Sequence, residues 1–358
     1  MVYYNSTSSK SLSYKVTNSK NSIIIVKVNH LQIISRMDSR SVCVTGASGY
    51  LASWLVKLLL RNGYAVKGTV RDLGEPNKIA HLKALEGAKE RLQLFEADLI
   101  KEGSFDSIVH DCVGVFHTAS PVLYSITDPQ EQLIEPAVNG TLSLLKSCAK
   151  SPSIKRVVVT SSIAAVTLNR NPRGPGTVMD ETWFSDIELC KETKQWYWLA
   201  KTLAEQSAVK YAEQNGIDLV VMNPGFVIGP LLQPTLNTSS RFILDLIKGK
   251  NVFPDYQFVD VRDVATAHVL AFENSSANGR YILVESSVSH DEAVQILHEL
   301  ISPSLDNPHK NTSTVTGNMT FKVSKKKAES LGLNFMPVEV SFRDMIQSLK
   351  HNNFLKKI

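Results

Sequence analysis

No stretch of the 358-residue sequence is apolar for long enough to span a bilayer. Runs such as Ile23–Val28 and Leu55–Leu60 fall far short of the ~20 residues that a spanning helix needs. Cysteine is scarce. Cys43, Cys112, Cys148 and Cys190 are widely spaced and form no C-x-x-C, which excludes a disulfide framework. They read as small buried side chains in a reducing compartment, so a cytoplasmic protein is expected. The nine histidines show no H-x-x-x-H, and no cluster has metal-ligand spacing. There is no G-x-S-x-G elbow, which removes the common hydrolase signature.

Acidic residues are absent from the first 36 positions, which carry Lys10, Lys15, Lys20, Lys27 and Arg36 among many Ser and Asn. These cations account for the whole formal net charge of +5, so residues 37–358 balance 34 basic against 34 acidic side chains. That balance argues against nucleic acid as a partner for the body of the chain. An acid-free leader is also how an organelle transit peptide reads. Arginine is rare in it, however, and Met37 stands just before the first strong strand pattern. The preferred reading is a disordered extension over 1–36, with Met37 as the natural start.

What remains is ordinary for a folded protein, at 43% hydrophobic and 20% charged residues. From Ser41 onward, short β-branched runs alternate with amphipathic stretches, the pattern of a parallel sheet with crossover helices. Strands are predicted at Ser41–Thr45, Ala65–Val70, Leu92–Ala97, Gly114–Thr118, Arg156–Thr160 and Asp218–Asn223. Helices are predicted at Tyr50–Asn62, Pro129–Ala149 and Lys194–Asn215, the last stopped by Gly216. The fold class is therefore α/β, a Rossmann-type doubly wound sheet over 37–230. After Pro230 the rhythm changes, with Pro234 and Pro254 as breakers. A strand at Arg280–Val284 is expected there, with helices at Val261–Glu273, His290–Ile301, Lys325–Leu331 and Val340–Lys350. Residues 231–358 read as a smaller mixed lobe for substrate, partly interleaved with the first domain.

The first strand runs straight into Gly46-Ala-Ser-Gly-Tyr-Leu-Ala52 and then a helix. Gly46 permits a tight turn, Gly49 lets the backbone approach a pyrophosphate, and the helix N-terminus offers unpaired N–H groups. At the end of the second strand an NAD site usually has an acid for the ribose hydroxyls. Here Arg71 precedes Asp72, and a planar cation there suits a 2′-phosphate, with Lys78 as a second charge. NADP(H) is thus the expected cofactor. Asp72 is free to serve the loop or to pair with Arg71. Asp98, after the third strand, is placed to accept from an adenine amino group or to cap a helix.

Of ten tyrosines, Tyr197 alone has a lysine four residues on, at Lys201. On a helix that spacing puts both on one face, where the ammonium and an oxidised nicotinamide favour the phenolate. Such a phenol is drawn down from its reference pKa of ~10 and becomes a usable proton donor. Thr160-Ser161-Ser162 ends a buried strand beside the same cleft, where a hydroxyl can donate to a carbonyl oxygen. Trp196 and Trp198 flank Tyr197 as core packing or as an aromatic wall.

Five strings carry a resemblance: Val44-Thr-Gly-Ala-Ser-Gly-Tyr50, Val115-Phe-His-Thr-Ala-Ser-Pro121, Val159-Thr-Ser-Ser162, Trp196-Tyr-x-x-x-Lys-Thr-Leu-Ala-Glu205 and Asn223-Pro-Gly-Phe-Val-Ile-Gly-Pro230. Over about 38–358 the chain resembles the plant extended short-chain dehydrogenase/reductases. That group includes dihydroflavonol reductases, cinnamoyl-CoA reductases and phenylacetaldehyde or cinnamyl-alcohol-dehydrogenase-like reductases. The resemblance implies Ser162, rather than Ser161, as catalytic serine with Tyr197 and Lys201. It implies cofactor contacts from Gly46, Ala47, Ser48, Gly49, Tyr50 and Leu51, and from Arg71, Lys78, Asp98 and Leu99. Further contacts are implied from Thr118, Ala119 and Ser120, from Pro224, Gly225, Phe226 and Val227, and from Ser239.

Departures from the family patterns rank the substrates. Thr167 stands where dihydroflavonol reductases usually carry a ring-reading asparagine. Gln195-Trp-Tyr-Trp-Leu-Ala-Lys201 differs from the N-W-Y-C-Y-G-K of cinnamoyl-CoA reductases. Gly229–Ser239 looks closest to the aldehyde-reducing branch, while Phe253–Val259 is shorter than usual there and bears on the substrate entrance. The expected activity is NADPH-dependent reduction of an aromatic or arylalkyl aldehyde to its alcohol. The alternatives are a hydroxycinnamoyl-CoA reductase, a dihydroflavonol 4-reductase, a sugar-nucleotide epimerase or a non-catalytic NADP-binding protein.

Overall fold

Alternate residues of the first predicted strand bury into different layers: Val42 and Val44 join one apolar cluster and Cys43 another. The same split recurs at Phe116 against Val115, and at Val158 against Val157 and Val159. A strand covered on both faces in this way belongs in the middle of a three-layer fold. The computed structural model of the chain describes residues 11–17, 23–29, 40–121, 127–171, 176–250, 255–301 and 321–355.

The predicted doubly wound sheet is present. Its strands are β1 (Ser41–Thr45), β2 (Ala65–Val70), β3 (Leu92–Glu96), β4 (Gly114–His117), β5 (Arg156–Thr160), β6 (Leu219–Pro224) and β7 (Gly279–Leu283). They lie in the order β7-β6-β5-β4-β1-β2-β3, and every pairing is parallel. Helices α1 (Tyr50–Arg61) and α4 (Val261–Glu273) cover one face; α2 (Glu135–Ala149) and α3 (Trp196–Asn215) cover the other. Strand order reverses between β1 and β4, and in open α/β sheets ligands bind in the crevice beyond the strand ends at such a point. Most other predicted ends shift by one or two residues, as fraying turns do.

Two expectations are corrected, and a further stretch holds a strand that was not predicted. The helix predicted over Pro129–Ala149 is a π-turn, Gln130–Ile134, followed by α2. Pro136 has no amide proton to give, and Glu135 N–H bonds back to Gln130 O, so α-register does not run through. The stretch Phe253–Val259, read as an entrance segment, is a strand from Asp255 onward; residues 251–254 lie outside the described residues. Asp255–Asp260 pairs in parallel with Phe226–Ile228 and antiparallel with Ser286–Ser289, a second sheet that the sequence pattern did not reveal. Its Tyr256 and Phe258 alternate into a core with Ile243, Phe342 and Met345, which is why these residues pair instead of looping. Lastly, the expected disordered leader contains two strands, Ser11–Thr17 and Ile23–Asn29, in antiparallel register from Ser11–Asn29 to Thr17–Ile23. The β-branched run Ile23–Val26 favours such a ladder despite the polar composition around it.

Charged contacts brace α4 within the C-terminal third and tie that third to β5. Arg262 ion-pairs with Asp260 at 2.8 Å and with Asp344, on the helix Val338–His351, at 2.7 Å. Arg156, nearly sealed at the start of β5, ion-pairs with Asp218 and donates to the carbonyls of Ala271 in the last turn of α4 and of Asn274 and Ala277 just past it.

Candidate active site

Gly46 takes a left-handed backbone, φ +64°, and an added Cβ would lie 3.1 Å from Ala119 Cα and Cβ. Only glycine meets both demands without strain. The turn is held by Gly46 N–H on Thr69 Oγ1 at 3.2 Å and Ala47 N–H on Thr69 O at 2.8 Å. Gly49 N–H closes it onto Gly46 O at 2.9 Å, and α1 begins at Tyr50 with no acid in its first turn. The amides of Ala47 and Gly49 are thus used within the turn. Those of Ser48, Tyr50, Leu51 and Ala52 have no acceptor among the described residues, and they leave a cradle open to an anion. The Tyr50 side chain is not part of that cradle: its hydroxyl donates to Gly229 O at 2.8 Å, and burial raises its pKa well above the usual phenol value.

Thr45 binds the neighbouring loop to this turn. Its Oγ1 accepts from the amides of Thr118 and Ala119, each at 3.1 Å, and Thr118 Oγ1 donates back to Thr45 O at 2.5 Å. With both lone pairs occupied, the Thr45 hydroxyl proton goes to His117 Nδ1 at 2.9 Å. His117 is therefore the Nε2–H tautomer, donating to Thr141 Oγ1 at 3.3 Å, whose own proton goes to Ala137 O. Burial, with the Lys201 charge as second cause, lowers the His117 pKa to about 3, so the ring is neutral. The sequence reading missed it, although it sits inside the Val115–Pro121 string.

At the β2 end, Arg71 is exposed and makes no ion pair among the described residues. Asp72 serves the loop rather than Arg71, accepting from Gly74 N–H at 2.6 Å. Lys78 is ion-paired with Glu75 at 2.7 Å, so part of its charge is already answered. Asp98 caps no helix. Its Oδ1 accepts from Ile100 N–H at 3.1 Å in a local turn, and the next helix starts at Asp106. Leu99 packs on α2, where a Cβ added to Gly140 would meet it at 2.9 Å.

Ser162 is buried just past β5, and its Oγ accepts from Ala164 N–H at 3.1 Å, which leaves the hydroxyl proton to donate elsewhere. Tyr197 opens α3, half-buried, with the Lys201 ammonium 5.9 Å from its ring centroid. Lys201 is itself buried and shares a small polar cavity with His117, Thr141, Thr160, Ser161 and Glu205. Thr160 hydrogen-bonds His268 Nε2 at 2.8 Å; burial lowers that histidine to about 4. Trp196 and Trp198 join an apolar cluster with Leu133, Ile134 and Leu199, so both serve as packing. Trp198 Nε1 also donates to Thr167 Oγ1 at 3.4 Å, while that hydroxyl donates to Ile163 O at 3.3 Å. Thr167 therefore has its hydroxyl engaged on both sides.

Pro224, Gly225, Phe226 and Val227 carry the chain from β6 into the small sheet, and Phe226 lies in an aromatic cluster 4.5 Å from Phe242. Ser239, in the first turn of the helix Thr238–Ile247, accepts from Asn237 Nδ2 at 2.7 Å. Because all seven strands run parallel, the Gly46 turn, Arg71, Asp98, Thr118–Ser120, Ser162 and Pro224 lie along one edge of the sheet.

Residues 42–284 match the family described as NAD dependent epimerase/dehydratase. A cinnamoyl-CoA reductase of Medicago truncatula is 56% identical over 315 residues, covering 87% of this chain and 96% of that protein. The crystal structure of vestitone reductase from alfalfa (Medicago sativa) superposes with a TM-score of 0.77 at 35% identity, covering 88% of this chain and 99% of that one. Gre2 from Candida albicans, solved in complex with NADPH, superposes at 0.77 with 28% identity over 87% and 99%. The glycine turn, the parallel sheet and these likenesses agree: the chain belongs to the NAD dependent epimerase/dehydratase family, within the extended short-chain dehydrogenases and reductases.

Proposed function

We propose that the protein is an NADPH-dependent carbonyl reductase that acts on a hydroxycinnamoyl-CoA thioester. The observation that carries this reading is the 56% identity, over nearly the full length of both chains, to a cinnamoyl-CoA reductase. The site suits the chemistry. The open amides at the start of α1 fit a pyrophosphate, and Arg71 is free to take a 2′-phosphate. NADPH held there would supply the hydride for the carbonyl carbon. Ser162 donates its free proton to the carbonyl oxygen, and Tyr197 protonates that oxygen as charge develops on it. Lys201 keeps positive charge beside the phenol and is positioned to reach a cofactor ribose. With a thioester this gives a hemithioacetal; when its hydroxyl returns the proton to the Tyr197 phenolate the carbon–sulfur bond breaks, the departing thiolate takes up a proton, and thiol and aldehyde are released.

A second reading keeps the same residues and reduces an arylalkyl aldehyde to its alcohol. It is favoured by Trp198, which fills the place of a smaller residue in the Gln195–Lys201 string and ties up Thr167. The engaged Thr167 hydroxyl also tells against a flavonoid being read at that position. Hydroxycinnamoyl-CoA esters, aldehydes and dihydroflavonols scored side by side by NADPH oxidation separate the readings. The thioesters are expected to give the highest kcat/KM; an aldehyde ahead by tenfold would establish the second reading. An epimerase would instead retain tightly held nicotinamide cofactor through purification.

The cofactor choice has its own test. Arg71→Ala removes a charge-assisted, two-point contact worth about 1.5–3 kcal/mol. NADPH-dependent kcat/KM should fall roughly 10- to 100-fold, with NADH-dependent turnover nearly unchanged. A variant that kept its preference for NADPH over NADH would remove Arg71 from the 2′-phosphate site.

A further inference from the structure

Glu205 is a carboxylate sealed inside the protein, 3% exposed, one helical turn beyond Lys201 on α3. Its Oε2 accepts from Ser161 Oγ at 2.5 Å and from Asn223 Nδ2 at 2.7 Å. Its Oε1 ion-pairs with Arg280 Nε at 2.5 Å. Arg280, 8% exposed on β7, directs its other nitrogens to backbone carbonyls: Nη1 to Glu181 and Trp183, Nη2 to Ala165. Asn223, fully buried on β6, gives its second amide proton to the carbonyl oxygen of Ser162 at 3.1 Å.

Stability alone is a poor reason for this arrangement. A buried ion pair loses much of its attraction to desolvation, and well-packed apolar replacements are often as stable or more so. What the network does is converge on one stretch of backbone. Ser161 N–H bonds Met222 O at 2.7 Å and Ile163 N–H bonds Pro224 O at 2.8 Å, so the amides on both sides of Ser162 are fixed to β6. Asn223 fixes the carbonyl between them, and Glu205 fixes Asn223 together with the Ser161 side chain. The remaining freedom of Ser162 is its own rotamer, which Ala164 N–H sets.

We infer that Glu205 is a positioning residue for Ser162, acting through Asn223 and Ser161 with its charge balanced by Arg280. The inference rests on the proposed reading of Ser162 as the hydroxyl that meets the carbonyl oxygen. A reacting group displaced by about 1 Å can cost on the order of a hundredfold in rate.

The test uses the NADPH-loaded enzyme. Asn223→Ala leaves the Glu205–Arg280 pair intact and should lower kcat roughly 10- to 100-fold, while NADPH affinity, read by fluorescence titration, stays within about twofold. In a Ser162→Ala background the same substitution should cost less than about twofold more, because the residue it positions is gone. Losses that multiply in full would overturn the inference. The paired variant Glu205→Leu/Arg280→Met should unfold below the wild-type temperature, since Arg280 also serves three backbone carbonyls, and while folded should show the same loss in kcat; a full-rate paired variant would also overturn it. A crystal structure of Asn223→Ala with NADPH supplies an arm that needs no turnover, since Ser162 Oγ should be displaced. An unmoved Ser162 sinks the positioning role by itself, whereas a wild-type enzyme that reduces no carbonyl compound sinks only the reading of the site.

Discussion

Tyr197→Phe is expected to lower kcat by at least about a hundredfold while NADPH affinity survives, because a positioned proton donor contributes on the order of 10²–10⁴ in rate. The substitution isolates the proton from the ring. Tyr197 packs edge-on against Trp198, with centroids 6.0 Å apart, and lies under the Lys201 ammonium. A phenyl ring keeps both contacts, so the helix start and the lysine should stay in place and unfolding temperature should change little. Neither His117 nor Ser162 substitutes for the lost proton. His117, which lines the Lys201 cavity, is neutral above about pH 3, and its Nε2–H is committed to Thr141. Ser162 has a proton to donate, but as an alcohol it is a far weaker acid than a phenol. Turnover within a few-fold of wild type would remove Tyr197 from the acid's role.

How much of this site could be read from the chain depends on distance along the sequence. The Gly46 turn lies within seven residues of one local string, and Tyr197 and Lys201 are one helical turn apart, so both features leave local spacing signals. The parallel sheet was legible for the same reason: a strand buried on both faces is a continuous apolar run such as Val157–Val159. The supports behind these residues leave no such trace. Ser161 and Glu205 are 44 positions apart, Asn223 and Ser162 are 61 apart, and Arg280 arrives from the far edge strand. Each was visible only as a letter in a longer string, or not at all. His117 was hidden differently, because a histidine between Phe116 and Thr118 acquires meaning only when Thr45 and Thr141 are brought to its two nitrogens. The small sheet escaped notice because Phe226–Ile228 offers three residues and Ser286–Ser289 four polar-rich ones, too few to show a period.

Gly225→Ala is expected to damage both stability and turnover, and the cause is space rather than backbone dihedral. A methyl group there would overlap Gln257 O and sit 3.1 Å from Val284 Cγ2. The oxygen cannot easily retreat, since Gln257 is held between Phe226–Ile228 on one side and Ser286–Ser289 on the other. Nor can Gly225 withdraw, because its own N–H donates to Leu283 O at 2.9 Å. Forcing a methyl group into such a contact costs about 1–3 kcal/mol, and more where backbone has to move. The strain falls where it matters for function: Pro224 O, one residue before, anchors Ile163 N–H, and Phe226 and Val227 follow in the segment proposed to face the cofactor. The variant should unfold several degrees below wild type. Below that temperature it should still lose more than about tenfold in kcat/KM, the cost of roughly 1.4 kcal/mol or more in transition-state binding. Wild-type melting and turnover together would show that the two sheets can part at Gly225, and that the Gln257 carbonyl does not hold the chain against the site.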